Sequence, residues 1–284
     1  MKTSPLIKSL KESWWRYRKN RAAIFGLILF TFITLLALLA DWIAPYDPLK
    51  TGLTDSLIPP SSGFIMGTDQ IGRDIFSGVI YGSRIALLVG LTSTLIAVII
   101  ALVVGVTSGY LGGVIDDILM RIVEILLSIP AFIFAIVIVA LYGITLTNVI
   151  LVIGMLSWPT LARIVRAEVL SLKEREFVLA AKSLGAGGLD LMFSEILPNA
   201  LPPLIPAAAL QVANAILIEA GLSFLGLSDP NVMSWGKMLW IAQQAFYAGA
   251  WWPILFPGIF ILLTVLSVNL IGDGLNDALN PRGR

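Results

Sequence analysis

SLKEREFVLAAKSLGAGGLDLMFSEILPN, residues 171–199, is a polar island between two long apolar stretches. It carries Lys173, Glu174, Arg175, Glu176, Lys182, Asp190 and Glu195, seven of the charges in a chain with 19 basic and 18 acidic residues. A charged, helix-forming segment flanked by runs long enough to cross a bilayer must lie in water. Its local signals are those of ordered structure. Ser171 with Glu174 fits a capping box, in which two side chains satisfy free N–H groups at a helix start. Phe177, Ala181 and Leu184 follow at helical spacing, and Gly185 stands where a helix C-cap glycine belongs. A second short helix comes next, with Leu189, Met192, Phe193 and Ile196 on one face, and Pro198 is expected to stop it. Two short helices with an apolar face, held in water by a membrane protein, read as a docking surface.

Composition agrees with the membrane reading. Of 284 residues, 57% are hydrophobic and 13% charged, and the mean hydropathy is +0.90. A soluble domain has about 25% charged residues. The net charge of +1 implies no strongly charged partner, nucleic acid included. With no Cys and no His, the chain cannot form disulfides, use thiolate chemistry, build Cys/His metal sites or employ histidine as an acid–base catalyst.

Residues 1–21 form a basic segment with seven Lys and Arg against Glu12 alone. The run that follows, 22–40, is too long for a signal-peptide core, and no cleavage site follows it. At 1.5 Å per residue it extends about 28 Å, enough for an uncleaved first span. Trp14, Trp15 and Tyr17 suit the interface beside the basic cluster. Residues 41–84 are a long connection, and the uncharged run 85–115 gives a second span. Asp116, Asp117, Arg121 and Glu124 mark a short loop and a helix start, where the dipole favours Glu124. Residues 125–162 are uncharged and too long for one helix, so two spans meet near Gly143 and Asn148. After the island, Pro198, Pro202, Pro203 and Pro206 are expected to delay the fifth span until they are past. Residues 226–250 are a polar connection, and Trp251 and Trp252 introduce a last span ending near Asp273, with 276–284 as a tail. The expected fold is all-α and polytopic, with about six transmembrane helices, five of them within residues 85–275.

Charge asymmetry orients it. With the N-terminus in the cytoplasm, fifteen Lys and Arg fall on the cytoplasmic side and four (Lys50, Arg73, Arg84, Lys237) outside. That is the positive-inside pattern. It places the island and both termini in the cytoplasm of a cell-membrane protein.

The chain has no G-x-x-x-x-G-K-[ST] phosphate loop. Gly236-Lys237 is followed by Met238, and Gly185, Gly187 and Gly188 lack a preceding strand, so they read as turn and cap. No triad, carboxylate dyad or metal cluster is present, so the chain is expected to be no enzyme and to bind no cofactor itself. Glu219 ends a long apolar run. A carboxylate at membrane depth faces a bundle interior or wet cavity, whereas one near the outer boundary reaches water; both readings stand. Gln211, Asn214 and Asn269 are weaker path candidates, since neutral polar residues in spans more often bond between helices.

At the island the sequence resembles the EAA signature of ABC importer membrane subunits, through Ala180, Ala181, Gly185, Ile196, Leu197 and Pro198. The segments GTDQIGRDIFSGVIYGSRIALLVG (67–90), EAGLSFLGLSDPNVMSWGKML (219–239) and WWPILFPGIFILLTVLSVNLIGDGLNDALNPR (251–282) are similar to the C-type permease of the dipeptide/oligopeptide/nickel importer group. The resemblance covers essentially the whole chain. It implies a type I ABC importer fold with a cytoplasmic coupling helix, a sister permease, two cytoplasmic P-loop ATPase subunits that bind ATP and Mg, and an extracellular binding protein. Glu176, Ala180, Ala181, Gly185, Leu189, Met192, Phe193, Ile196, Leu197 and Pro198 would form the ATPase-coupling element. Gln211, Asn214 and Glu219 would be candidates for the translocation path. Leu179 departs from the signature's usual acidic residue, and Asp190 and Glu195 stand where relatives commonly carry basic ones. The cargo implied is a di- or oligopeptide, with an oligosaccharide or nickel complex as alternatives. A stand-alone secondary transporter competes with this reading, but paired broken helices of an inverted repeat are not evident. A membrane scaffold would explain the island and leave the polar residues within spans without a role.

Overall fold

The computed structural model describes residues 14–279. Among them, residues 14–19 are helical, followed by α1 (Arg21–Leu38), α2 (Ala40–Ile43), α3 (Ile75–Leu111), α4 (Gly113–Ser128), α5 (Ala131–Tyr142) and α6 (Leu146–Lys173). Then come α7 (Glu176–Ser183), α8 (Gly188–Asp190), a π-helical turn (Leu191–Ile196), α9 (Leu197–Phe224), α10 (Trp235–Tyr247) and α11 (Trp252–Leu279). Five helical stretches are long and apolar enough to cross a membrane: α1, α3, α6, the continuous Gly188–Phe224 stretch and α11. α4 and α5 pass the same test together, bent by 85°, which makes up to six spans when the pair is counted as one.

Helix starts and breaks follow from local chemistry, and several differ from the sequence expectation. α3 begins at Ile75, well before residue 85, because Asp74 caps it: its carboxylate accepts from Ser77 N (2.8 Å) and Ser77 Oγ (2.6 Å). The break at Gly143 is present. Gly143 has φ +101°, and Asn148 Nδ2 donates to the freed carbonyls of Tyr142 (3.0 Å) and Gly143 (2.9 Å). A second break, at Ile129–Pro130, is additional to the sequence expectation, and Pro130 supplies it.

The prolines after the island neither stop a helix nor delay a span. Pro198 lies in the first turn of α9, and Pro202, Pro203 and Pro206 lie inside it. The π-turn before Leu197 changes the hydrogen-bond register just ahead of Pro198, and membrane helices tolerate proline where other groups satisfy the freed carbonyls. The Ser171–Glu174 capping box is also absent. α6 runs through Ser171 to Lys173, held by buried Leu172, and α7 starts after Arg175 with no side-chain cap.

α9 is central and touches α3, α6, α10 and α11. α3 and α6 pack backbone to backbone: a Cβ on Gly105 would stand 2.7 Å from Ala162 O, and one on Gly109 2.9 Å from Val169 Cβ. One core cluster, with Trp235, Trp252, Ile75 and Met238, fills the end where α3 begins. Another, with Val165, Val169, Val178, Leu191 and Ile196, fills the opposite end beneath the island.

Candidate functional site

The island forms an ordered loop between two spans. α7 turns its Val178 into the core and half-buries Ala181, while Glu176 in its first turn meets the positive end of the helix dipole. The helix closes with a Schellman motif: Ala186 N donates to Ala181 O (3.1 Å) and Gly185 N to Lys182 O (3.0 Å). Gly185 takes φ +90°, which a side chain would resist. Leu191 and Ile196 then join Val178 in the core.

The four residues expected on one face therefore separate. Ile196 points inward, Met192 is half-buried, and Leu189 (69%) and Phe193 (58%) are exposed. A π-turn carries more residues per turn than an α-helix, so the apolar phase shifts within it. Leu184, at the α7 turn, is 90% exposed. Glu176, Ala180, Gly185 and Pro198 are exposed beside this apolar set, and Leu197 is half-buried. The sequence reading missed Leu191 and Val178 as the anchors; their signal was the second apolar phase of each short helix.

The path candidates do not form one cluster. Asn214 is exposed on α9 between Leu210 and Leu217, and Gln211 is half-buried. Glu219 lies on another side of the helix, 4% exposed and inside the chain. Ser223 Oγ donates to its Oε1 (2.7 Å), and the Ser234 hydroxyl lies alongside. α10 presses against α9 there, where a Cβ on Gly236 would meet Ala220 O at 2.4 Å.

Next to it, Lys237 Nζ donates to the carbonyls of Asp229 (3.1 Å), Pro230 (2.8 Å) and Val232 (2.8 Å). Burial pushes this ammonium below the ordinary lysine range. Asp229 accepts from Leu146 N (3.0 Å), which fastens the same loop to the start of α6. Among the described residues no group of three or more acidic side chains is placed to hold a metal ion.

Known proteins match this architecture. Residues 98–284 match the family described as binding-protein-dependent transport system inner membrane component, and residues 9–60 match the N-terminal TM domain of oligopeptide transport permease C. The chain is 44% identical to the dipeptide transport system permease protein DppC of Escherichia coli K12, over 96% of this chain and 93% of that one. It is 41% identical to the di/tripeptide transport system permease protein DppC of Pseudomonas aeruginosa, over 96% and 92%. Among solved structures, an inward-facing MetNI methionine ABC transporter chain superposes with a TM-score of 0.60 at 21% identity, covering 72% of this chain and 98% of that chain. An ordered loop with outward apolar side chains, set between membrane spans of this fold, thus occurs in a chain that belongs to the binding-protein-dependent transport system inner membrane component family and is a membrane permease subunit.

Proposed function

We propose that this chain forms half of the membrane path of an ATP-driven importer of dipeptides and related short peptides. One observation carries the reading. The loop at 174–199 is anchored in the core by Val178, Leu191 and Ile196, yet leaves Leu184, Leu189 and Phe193 uncovered. Single exposed apolar residues need no explanation, but a cluster of them on a fixed element marks an interface. On this reading the loop end faces the cytoplasm, as the Lys and Arg distribution supports. Two ATPase subunits, which hold the ATP and Mg, dock one on this loop and one on that of a sister permease.

α6 and the Gly188–Phe224 stretch run as helices from the loop into the membrane. Moving the loop therefore moves two spans. ATP can bias the path only if the loop's contacts differ between the two states, and the exposed cluster is the surface on which they differ. Asn214, on the open side of α9 with Gln211 at its edge, faces the path shared with the sister permease. Glu219, enclosed by Ser223 and α10, holds the outer loop instead of touching cargo. The peptide cargo and an extracellular binding protein are supported by the names of the relatives and the family.

Reconstituted into proteoliposomes with its sister permease, ATPases and binding protein, the chain should give ATP-dependent uptake of a labelled dipeptide. Uptake by the chain alone, driven by an ion gradient with no ATPase retained on purification, would sink the reading. Uptake of an oligosaccharide or nickel chelate in place of peptide would sink only the cargo.

A further inference from the structure

We infer that Asp116 and Arg166, together with Tyr110, clamp the docking loop to the turn between α3 and α4, so that loop and α4 move as one body. The inference rests on the docking role proposed above. Arg166 lies two turns before the end of α6 and grips Asp116 of α4 in a fork: Nε donates to Oδ1 (2.6 Å) and Nη2 to Oδ2 (2.5 Å). Ser108 Oγ, in the last turn of α3, donates to the same Oδ1. A planar guanidinium on a carboxylate fixes orientation as well as distance.

Tyr110 gathers both limbs of the loop. Its carbonyl accepts from Lys173 Nζ (2.9 Å) at the end of α6, and its hydroxyl lies 3.3 Å from where a side chain on Gly188 would begin. Behind it, the close packing at Gly105 and Gly109 makes α3 and α6 one unit. α4 has little else to hold it, since Val123 is its one buried residue. Beyond the bend at Ser128–Pro130, α5 packs on α6 as well, with Ala135 and Val139 in one cluster with Val149, Val152 and Ile153, and its Phe132 ring lies 2.9 Å from a Cβ placed on Gly221 of α9. The fork and the Tyr110 ties therefore join α4 to the loop through α6.

The natural absence of cysteine makes the test direct. Spin labels go on Glu174→Cys at the loop and Arg121→Cys on the exposed side of α4, in the assembled importer with partners freed of cysteine. The inter-label distance should stay fixed between nucleotide-free and ATP-trapped states, and should shift or broaden once Asp116→Asn is added. Peptide transported per ATP hydrolysed should fall about tenfold in Asp116→Asn with ATPase subunits still retained, and less in Arg166→Lys, which keeps the charge and loses the fork. A label distance that changes between states by about one helical turn, ~5 Å, overturns the inference. So does unaltered coupling in Asp116→Asn. Should Asp116→Asn fail to assemble, Lys173→Met removes only the exposed tie to Tyr110, and unaltered distance and coupling there would also overturn it. Failure of the parent chain to retain ATPases would count against the docking role itself.

Discussion

At one end of the bundle Lys237 is 7% exposed and gives its three donors to loop carbonyls, while the buried Glu219 accepts from Ser223. At the other end Leu184, Leu189 and Phe193 stand in the open on a loop of short helical turns. The first end turns Lys237 and Glu219 inward and gives each of them partners within the chain. The second turns apolar groups outward and leaves them uncovered. Polar groups are expensive to bury without partners and apolar ones to expose in a cluster, so each arrangement records what its loop meets. Lys237 and Glu219 find their partners in this chain; the loop end is where we propose that another protein docks.

Lys237→Met probes the polar end. Methionine keeps the stem's packing but removes the hydrogen bonds to three partly buried carbonyls, so stability should drop by about 2 kcal/mol, read as a lowered unfolding midpoint in detergent. ATPase docking at the far end should be unaffected. An unchanged midpoint would mean the ammonium does not hold the loop. Phe193→Ala probes the open end. Its stability should stay within about 0.5 kcal/mol of the parent, while affinity for the ATPase should weaken by about 2 kcal/mol, roughly thirtyfold, in a titration of purified complex. Ile196→Ala, three residues on, should act on stability instead, because Ile196 is in the core. Equal behaviour of the two variants would erase the distinction between the ends.

Much of this was readable from local features. The island announced itself by charge, the α7 cap by Gly185, the spans by hydropathy and the Gly143 break by one glycine. What the sequence hid depends on phase or distance. The π-turn at Leu191–Ile196 rotates Phe193 and Ile196 to opposite sides, and no residue in LMFSEI signals the extra residue per turn. The prolines signal a break only by the rule for water-soluble helices, which a membrane helix escapes. Asp116 and Arg166 are 50 positions apart, and their only trace was opposite charge at the same end of two neighbouring spans. Asp74 was legible in principle, as an Asp followed by an apolar helical run.

The smallest effect should come from a cation that does on the surface what Lys237 does inside. Arg84 donates through Nε to Ala37 O (2.5 Å) and through Nη2 to Leu38 O (3.2 Å), closing the C-terminal carbonyls of α1. Its Nη1 and Nη2 also reach Asp41 at 2.8 and 2.9 Å, and Tyr81 OH donates to Asp41 at 2.8 Å. These bonds, Arg84's first, hold the Asp41 carboxyl below its ordinary value of 3.8. A depressed carboxylate stabilises the fold above its unfolded pKa, and that contribution is lost as pH falls through the lower, folded value. Acidification below 3.8 should therefore lower the unfolding midpoint of the parent chain more than that of Asp41→Asn, which lacks the group. Both side chains of the pair are partly exposed, so the gap should be small and should shrink in high salt. The two cations make the same kind of bond to backbone carbonyls; if Asp41→Asn proves as costly as Lys237→Met, burial is not what separates the two sites.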